Sequence, residues 1–239
     1  MSDKIKLLFL SAQPCGSTPL RTDWELRDVD ARIQAGLKPN RFEVAFAPAL
    51  KRTDLQDALM RHRPQVVHFS GHSDATKGIL LENDRGREAY VSGSELAELF
   101  AILRGTIRIV VLNSCDSSAI ARQFQHFIDY TVAMNRPISD AAAIVFATAF
   151  YNALAKRQRV PTAFALAVNQ LRLEKLSEFD APQLFVGAGA PVEAEPEAPP
   201  KQRGKERTKR QSPLMDLSHA TVRGHVITVD GDGNVIITG

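Results

Sequence analysis

Hydrophobic positions along this chain fall into two kinds of segment that take turns. Short apolar, β-branched runs read as strands: residues 4–10, 42–47, a run from Val66, 106–112, 130–134 and 183–186. Between them lie stretches with helical spacing. From Asp23 the apolar positions Leu26, Val29, Ile33 and Leu37 recur every three or four residues. Thr53 with Gln56, and Ser92 with Glu95, have the spacing of capping boxes, predicting helices through 59 and to about 103. A helix is expected over 118 to about 128, an Ala-rich one from Ser139-Asp140, and another from Val160-Pro161, where proline suits the first turn. Residues 78–82 and 89–91, joined by Asn83-Asp84-Arg85-Gly86, read as a hairpin.

Strands alternating with helices predict a mostly parallel, doubly wound α/β sheet flanked by helices, ending near Gly189. Residues 190–213 form a linker, Pro/Glu/Ala first and Lys/Arg-rich afterwards, without apolar periodicity. Residues 214–239 make a third unit. There two β-branched runs flank Asp230-Gly231-Asp232-Gly233-Asn234, a hairpin signal. A hairpin alone is marginal in water, so this one is expected to pair elsewhere, on another subunit or a partner's sheet edge.

Composition narrows the function classes. The net charge of +3 is uneven: residues 191–210 hold six Lys/Arg against four Glu, leaving +1 for everything else. The folded part is near neutral and presents no nucleic-acid-binding face. The basic half of the linker lacks aromatics and is interrupted by Glu206, which fits a solvated tether. No apolar run approaches the roughly 20 residues that span a bilayer, and the start shows no secretory pattern. With two cysteines a disulfide framework is not expected, and the cytoplasm of a prokaryote is the expected compartment. His219 and His225 near Asp230 and Asp232 fit no metal spacing, and neither metal nor cofactor is expected.

Two motifs carry the chemistry. Val-Val-His-Phe-Ser-Gly-His-Ser (66–73) and Val-Val-Leu-Asn-Ser-Cys-Asp-Ser (110–117) each break from a buried-strand run into small polar residues. Side chains just past the carboxyl ends of neighbouring parallel strands converge on one crevice. His72 and Cys115 delivered there are the parts of an activated thiolate. Cys15 reads as a loop residue, Trp24 as core, and His68, inside its strand, as a group packed beneath the site.

These motifs, together with Ile138-Ser139-Asp140-Ala141-Ala142 followed by Phe146, Phe150-Tyr151 and Leu154, resemble the CHAT domain, the bacterial branch of the caspase-like (clan CD) cysteine peptidases. The resemblance covers about residues 4–187. It implies a caspase-hemoglobinase-like fold, with the histidine after the third strand and the nucleophile after the fourth. It further implies Cys115 as nucleophile, His72 as general base and acid, and an oxyanion hole from the backbone N–H groups of Ser73 and Cys115. Gly71 would let the backbone approach a substrate closely. Arg- or Lys-directed relatives often carry an acid two residues before the cysteine. Asn113 stands there, so a carboxylate for a basic P1 residue would have to come from Asp116 or Asp140, and P1 specificity stays open. The resemblance implies an endopeptidase acting on a partner protein as an effector of a bacterial defence system, recruited or self-associated through the C-terminal β segment. Two other readings compete. One is a caspase-like scaffold that signals by assembly without catalysis. The other is a nucleotide-related effector on a flavodoxin-like or TIR-like sheet, for which Ser11-Ala12-Gln13-Pro14-Cys15-Gly16 is a poor phosphate turn and no glutamate stands out for glycosidic cleavage.

Overall fold

In a computed structural model the structure describes residues 4–36, 41–191, 226–229 and 235–238, the last two segments as backbone only. The linker beyond residue 191, the 230–234 turn, Leu37, His219 and His225 lie outside them.

Eight strands form one sheet in the order β11-β10-β9-β8-β7-β3-β1-β2. Strands β1 (Ile5–Ser11), β2 (Phe42–Ala47), β3 (Val66–Ser70), β7 (Ile109–Asn113) and β8 (Tyr130–Met134) run parallel to their neighbours, and β9 (Pro182–Val186) returns antiparallel along β8. A second, three-stranded antiparallel sheet contains β4 (Ser73–Asp74), β5 (Gly78–Glu82) and β6 (Glu88–Val91). Its β5 begins at Gly78, whose φ of +103° and 1.9 Å gap between a built Cβ and the Val91 carbonyl oxygen leave room for no other residue.

Alternation along the strands sends successive side chains to opposite faces. Leu7, Val66, Val111, Val132 and Leu184 meet α1 (Thr22–Gln34), α5 (Asp140–Ala155) and α6 (Val160–Leu173) in one apolar cluster. Leu8, Val67, Phe69, Val110 and Leu112 meet α2 (Leu55–His62), α3 (Gly93–Ile102) and α4 (Ser118–Ala121) in the other. The result is a three-layer α/β/α sandwich, as the alternating pattern predicts.

Helix starts show which local signals hold. At α3 the capping box forms: Ser92 Oγ accepts the Glu95 N–H while the Glu95 carboxylate accepts the Ser92 N–H. The Ser92 hydroxyl, donating to that carboxylate at 2.7 Å, and then the Ser92 N–H hold the Glu95 carboxyl below its ordinary value. At α5 Ser139 caps the Ala142 N–H. The Thr53–Gln56 box does not form. Thr53 Oγ1 donates to Asp54 instead, and a 3₁₀ turn over Arg52–Asp54 leads into α2. The helix expected over 118–128 stops at Ala121 and tightens into a 3₁₀ turn at Arg122–Phe124. Trp24 is 43% exposed rather than core, with the Arg21 guanidinium 3.4 Å above its ring.

The C-terminal strands also depart from expectation. Strand β10 (Val226–Val229) pairs antiparallel with β9 through Val226–Phe185 and Ile227–Leu184, and β11 (Val235–Thr238) pairs with β10. The hairpin thus extends the chain's own sheet. Strand β9 offers a free edge in the same molecule, so pairing there needs no second chain.

Candidate active site

The strand order reverses between β1 and β3, since β1 leads to β2 on one side and to β3 on the other. Crevices at such reversals collect the loops that leave the strands' carboxyl ends. Here the segment after β1 supplies Thr18 and Leu20, the turn after β3 supplies His72, and the turn after β7 supplies Cys115. Ser70 and Asn113 are register partners in β3 and β7, so His72 and Cys115 each stand two residues beyond a matched pair. Both line a cavity of about 70 Å³ together with Arg21, Glu25, Asp140 and the apolar side chains of Leu20, Ile138, Ala143 and Ile144.

The turn carrying Cys115 is tightly pinned. Ser117 Oγ, fully buried, lies 2.8 Å from the Ser114 carbonyl and 3.1 Å from that of Leu112, and accepts the Met134 N–H at 3.0 Å. Ser73 Oγ reaches Ser114 Oγ at 2.8 Å and also the Cys115 carbonyl, tying the histidine turn to the cysteine turn. Asp116 adopts φ +52°, the left-handed region that Asp tolerates better than most residues.

Cys115 is half-buried, its Sγ 4.0 Å from the Ile138 carbonyl. The His72 Nε2–H donates to the Thr18 carbonyl at 2.7 Å. A carbonyl only accepts, so this bond places the ring proton on Nε2 and leaves the Nδ1 lone pair available as a base. No hydrogen bond joins His72 to Cys115 among the described residues. Two backbone donors are unengaged among the described residues. Leu80 N–H bonds the His72 carbonyl, making 72–80 a hydrogen-bonded pair and 73–79 the alternate kind, so the Ser73 N–H turns away from β5. The Cys115 N–H has no partner among the described residues.

Of the sequence candidates for substrate contact, Asn113, Asp140 and Gly71 line the cavity and Asp116 does not. Gly71 also has a packing reason for its identity. A Cβ there would stand 2.7 Å from the tip of the buried Phe69 ring, so a larger residue would have to displace that ring. His68 is buried on the α5 side as expected, stacked on Phe9 at 4.3 Å, with Nδ1 3.1 Å from Tyr151 Oη.

Glu25 is the residue sequence reasoning missed. It is 3% exposed. Its Oε2 accepts from Ser70 Oγ at 2.6 Å, its Oε1 accepts from Asn113 Nδ2, and His68 Nε2 lies 2.8 Å from Oε1 but out of line for a hydrogen bond. No sequence signal singles it out: Thr22, Glu25, Val29 and Ile33 are the buried residues of α1, but an acid on such a helix reads as solvent-facing. Burial, and secondarily the Glu25 charge, push the Tyr151 phenol well above its usual value, keeping it a hydrogen-bond donor.

The CHAT domain model matches residues 11–213. The chain belongs to the CHAT domain family. Among curated proteins it is similar to a Roc-COR-CHAT protease from an unknown prokaryotic organism, 27% identical over 71% of this chain and 17% of that protein. It is also similar to a probable protease of Gillisia limnaea, 20% identical over 62% of this chain and 26% of that protein. The chain therefore spans about a sixth to a quarter of the curated relatives it matches. Among solved structures it resembles a secreted C11 cysteine protease from Bacteroides thetaiotaomicron bound to an irreversible peptide inhibitor, with a TM-score of 0.55, 10% identity, 77% of this chain and 66% of that chain covered. It likewise resembles the Arg-specific cysteine proteinase gingipain R, with a TM-score of 0.51, 10% identity, and coverage of 76% and 46%. Its sheet is thus that of the caspase-like cysteine proteases. No described helix is long and apolar enough to cross a membrane.

Proposed function

We propose that this CHAT domain is a cysteine endopeptidase with a Cys115–His72 dyad. The observation that carries the reading is the delivery of both groups to one cavity by adjacent parallel strands, in the turn pair that a caspase-like sheet provides. A free thiol has a pKa near 8.5, so a neighbouring base must take its proton at neutral pH. His72 Nδ1 takes the Sγ proton, and the thiolate attacks the scissile carbonyl carbon. The oxyanion forms opposite the free N–H groups of Ser73 and Cys115, donors each worth about 3 kcal/mol in comparable acyl transfers. The imidazolium returns its proton to the leaving amine, leaving a Cys115 thioester, and water activated by the same ring hydrolyses it. The Thr18 carbonyl supports the cycle by holding the ring in one tautomer and stabilising the imidazolium. Catalytic hydrogen bonds that are long or misaligned in a free enzyme often tighten only when substrate binds, and the gap between sulfur and imidazole closes at that step.

In its biological setting the domain cleaves a partner protein as an effector of a bacterial defence system. The outer edge of β11 is the recruitment surface, since an unpaired strand edge templates a further strand. One observation favours a non-catalytic scaffold instead, namely the missing Cys115–His72 hydrogen bond. A cleavage profile on a peptide library separates the readings. Wild type is expected to cleave and Cys115→Ala to be silent; identical profiles from both proteins overturn the assignment.

A further inference from the structure

The cavity beside Cys115 has a pattern of donors and acceptors that the cleavage mechanism does not use. Its floor combines Glu25, Ser70 and Asn113, all buried. Every donor on that floor is spent internally: Ser70 Oγ–H on Glu25, and Asn113 Nδ2 on Glu25 and on the Ala143 carbonyl at 3.1 Å. What remains is acceptor capacity. Asn113 Oδ1 is buried without a partner, although a buried amide oxygen normally has one. A carboxylate has about four acceptor positions, and aligned hydrogen bonds fill two of those on Glu25. Neither Glu25 nor Asp140 has a Lys or Arg partner among the described residues. The one cation lining the cavity, Arg21, is held over Trp24. The walls are the aliphatic Leu20, Ile138, Ala143 and Ile144.

Resting on the protease reading, we infer that Glu25, with Asn113 Oδ1, forms the floor of the P1 subsite and selects a substrate side chain with an apolar stem and a cationic, donor-rich tip, that is lysine or arginine. Among the described residues the Glu25 carboxylate is buried with no Lys or Arg beside it and only the His68 imidazole, 2.8 Å from Oε1 and out of line, as a cationisable neighbour. An incoming ammonium or guanidinium brings donors to the acceptor positions that remain. The carboxylate comes from the first helix and not from the position two before the cysteine, where Asn113 orients it instead. Asp140, half-buried and accepting the Arg21 backbone N–H at 3.2 Å, adds a second negative charge at the wall.

The test measures Cys115 labelling in the full chain by tripeptidyl acyloxymethyl ketones differing only at P1: lysine, arginine, norleucine, glutamine and aspartate. Lysine and arginine probes should label at least about 100-fold faster than norleucine, and Glu25→Gln should slow the lysine and arginine probes far more than the norleucine probe, abolishing that preference. Equal losses for all probes in Glu25→Gln, with a lowered melting temperature, would show only a structural role and overturn the assignment. The wild-type profile decides independently of that variant: preference for norleucine, glutamine or aspartate overturns the inference while the protease reading stands. Failure of every peptide probe, with iodoacetamide still alkylating Cys115, takes down the protease reading and this inference with it.

Discussion

The two sides of the main sheet are built to different rules. Under α2, α3 and α4 the strands bury a cluster that includes Leu59, Phe69, Phe100, Leu112 and Phe124. Under α1, α5 and α6 a more aromatic cluster, with Phe146, Phe150, Tyr151 and Phe164, also encloses the Glu25 carboxylate and the His68 imidazole. Leaving a buried polar group unpaired costs about 1–3 kcal/mol, and a charge costs more. Such groups persist where something besides stability retains them. Here they stand under the carboxyl ends of β3 and β7, directly beneath the cavity that Cys115 and His72 line. One face is a support; the other is a support that leads into a site.

Breaking the site face chemically has the largest expected effect. Cys115→Ala or His72→Ala should each lower peptide hydrolysis by at least about 10³-fold. Thermal unfolding should stay close to wild type, because both side chains are only half-buried at the cavity rim. Breaking the support face should do the reverse. Phe124→Ala, in a fully buried ring packed 5.0 Å from Phe100, should cost about 3–5 kcal/mol in urea unfolding. The surviving folded fraction should keep its P1 preference. A loss of stability without loss of preference in one, and the converse in the other, sharpens the comparison; matching effects erase it.

A finer cut goes through Tyr151, which belongs to both roles. Tyr151→Phe keeps the ring but removes the hydroxyl that satisfies His68 Nδ1. It should cost about 1–3 kcal/mol, read by urea unfolding. A double-mutant cycle with His68→Leu should then show coupling, since the two side chains share one bond.

The smallest effect lies outside both faces, in the turn after His72. Hydrogen bonds from the Thr76 hydroxyl, the Lys77 N–H and the Thr76 N–H hold the Asp74 carboxyl down to about 2, from 3.8. A folded value below the unfolded one means that the stabilisation is present above pH 4 and is lost as pH falls toward 2. An NMR titration of the Asp74 carboxylate should show that low midpoint, and Asp74→Asn should flatten the stability profile between pH 4 and pH 2.

How much of this was legible in the sequence follows from where each residue's energy comes from. Strands β2 and β8 have the bounds their apolar runs predict; β8 shows its burial at every residue, while β2, at the sheet edge, buries only Phe42 and is marked by its apolar composition alone. The Ser92–Glu95 box was readable because both partners are local. The Thr53–Gln56 box has the same spacing and fails, since Thr53 finds a nearer acceptor in Asp54. Trp24 was misread because a stacking arginine lets its ring stay at the surface. The pairing of β10 on β9 was invisible, since edge availability is a property of the assembled sheet. His72 and Cys115 were found because strand-end motifs announce themselves. Glu25 was not, because an acid in an amphipathic helix reads as solvent-facing until Ser70 and Asn113, from strands 45 and 88 residues away, meet it.

The two thiols give the most direct test of the central claim. Cys15 is exposed and Cys115 half-buried, and both are free. Limiting iodoacetamide, which needs no substrate subsite, should therefore reach Cys15 first, on exposure alone. A peptidyl acyloxymethyl ketone with lysine at P1 should do the opposite, giving a single adduct mapped by mass spectrometry to Cys115, formed at least about 100-fold more slowly in His72→Ala. An adduct at Cys15, or one at Cys115 whose rate ignores the loss of His72, would contradict the dyad.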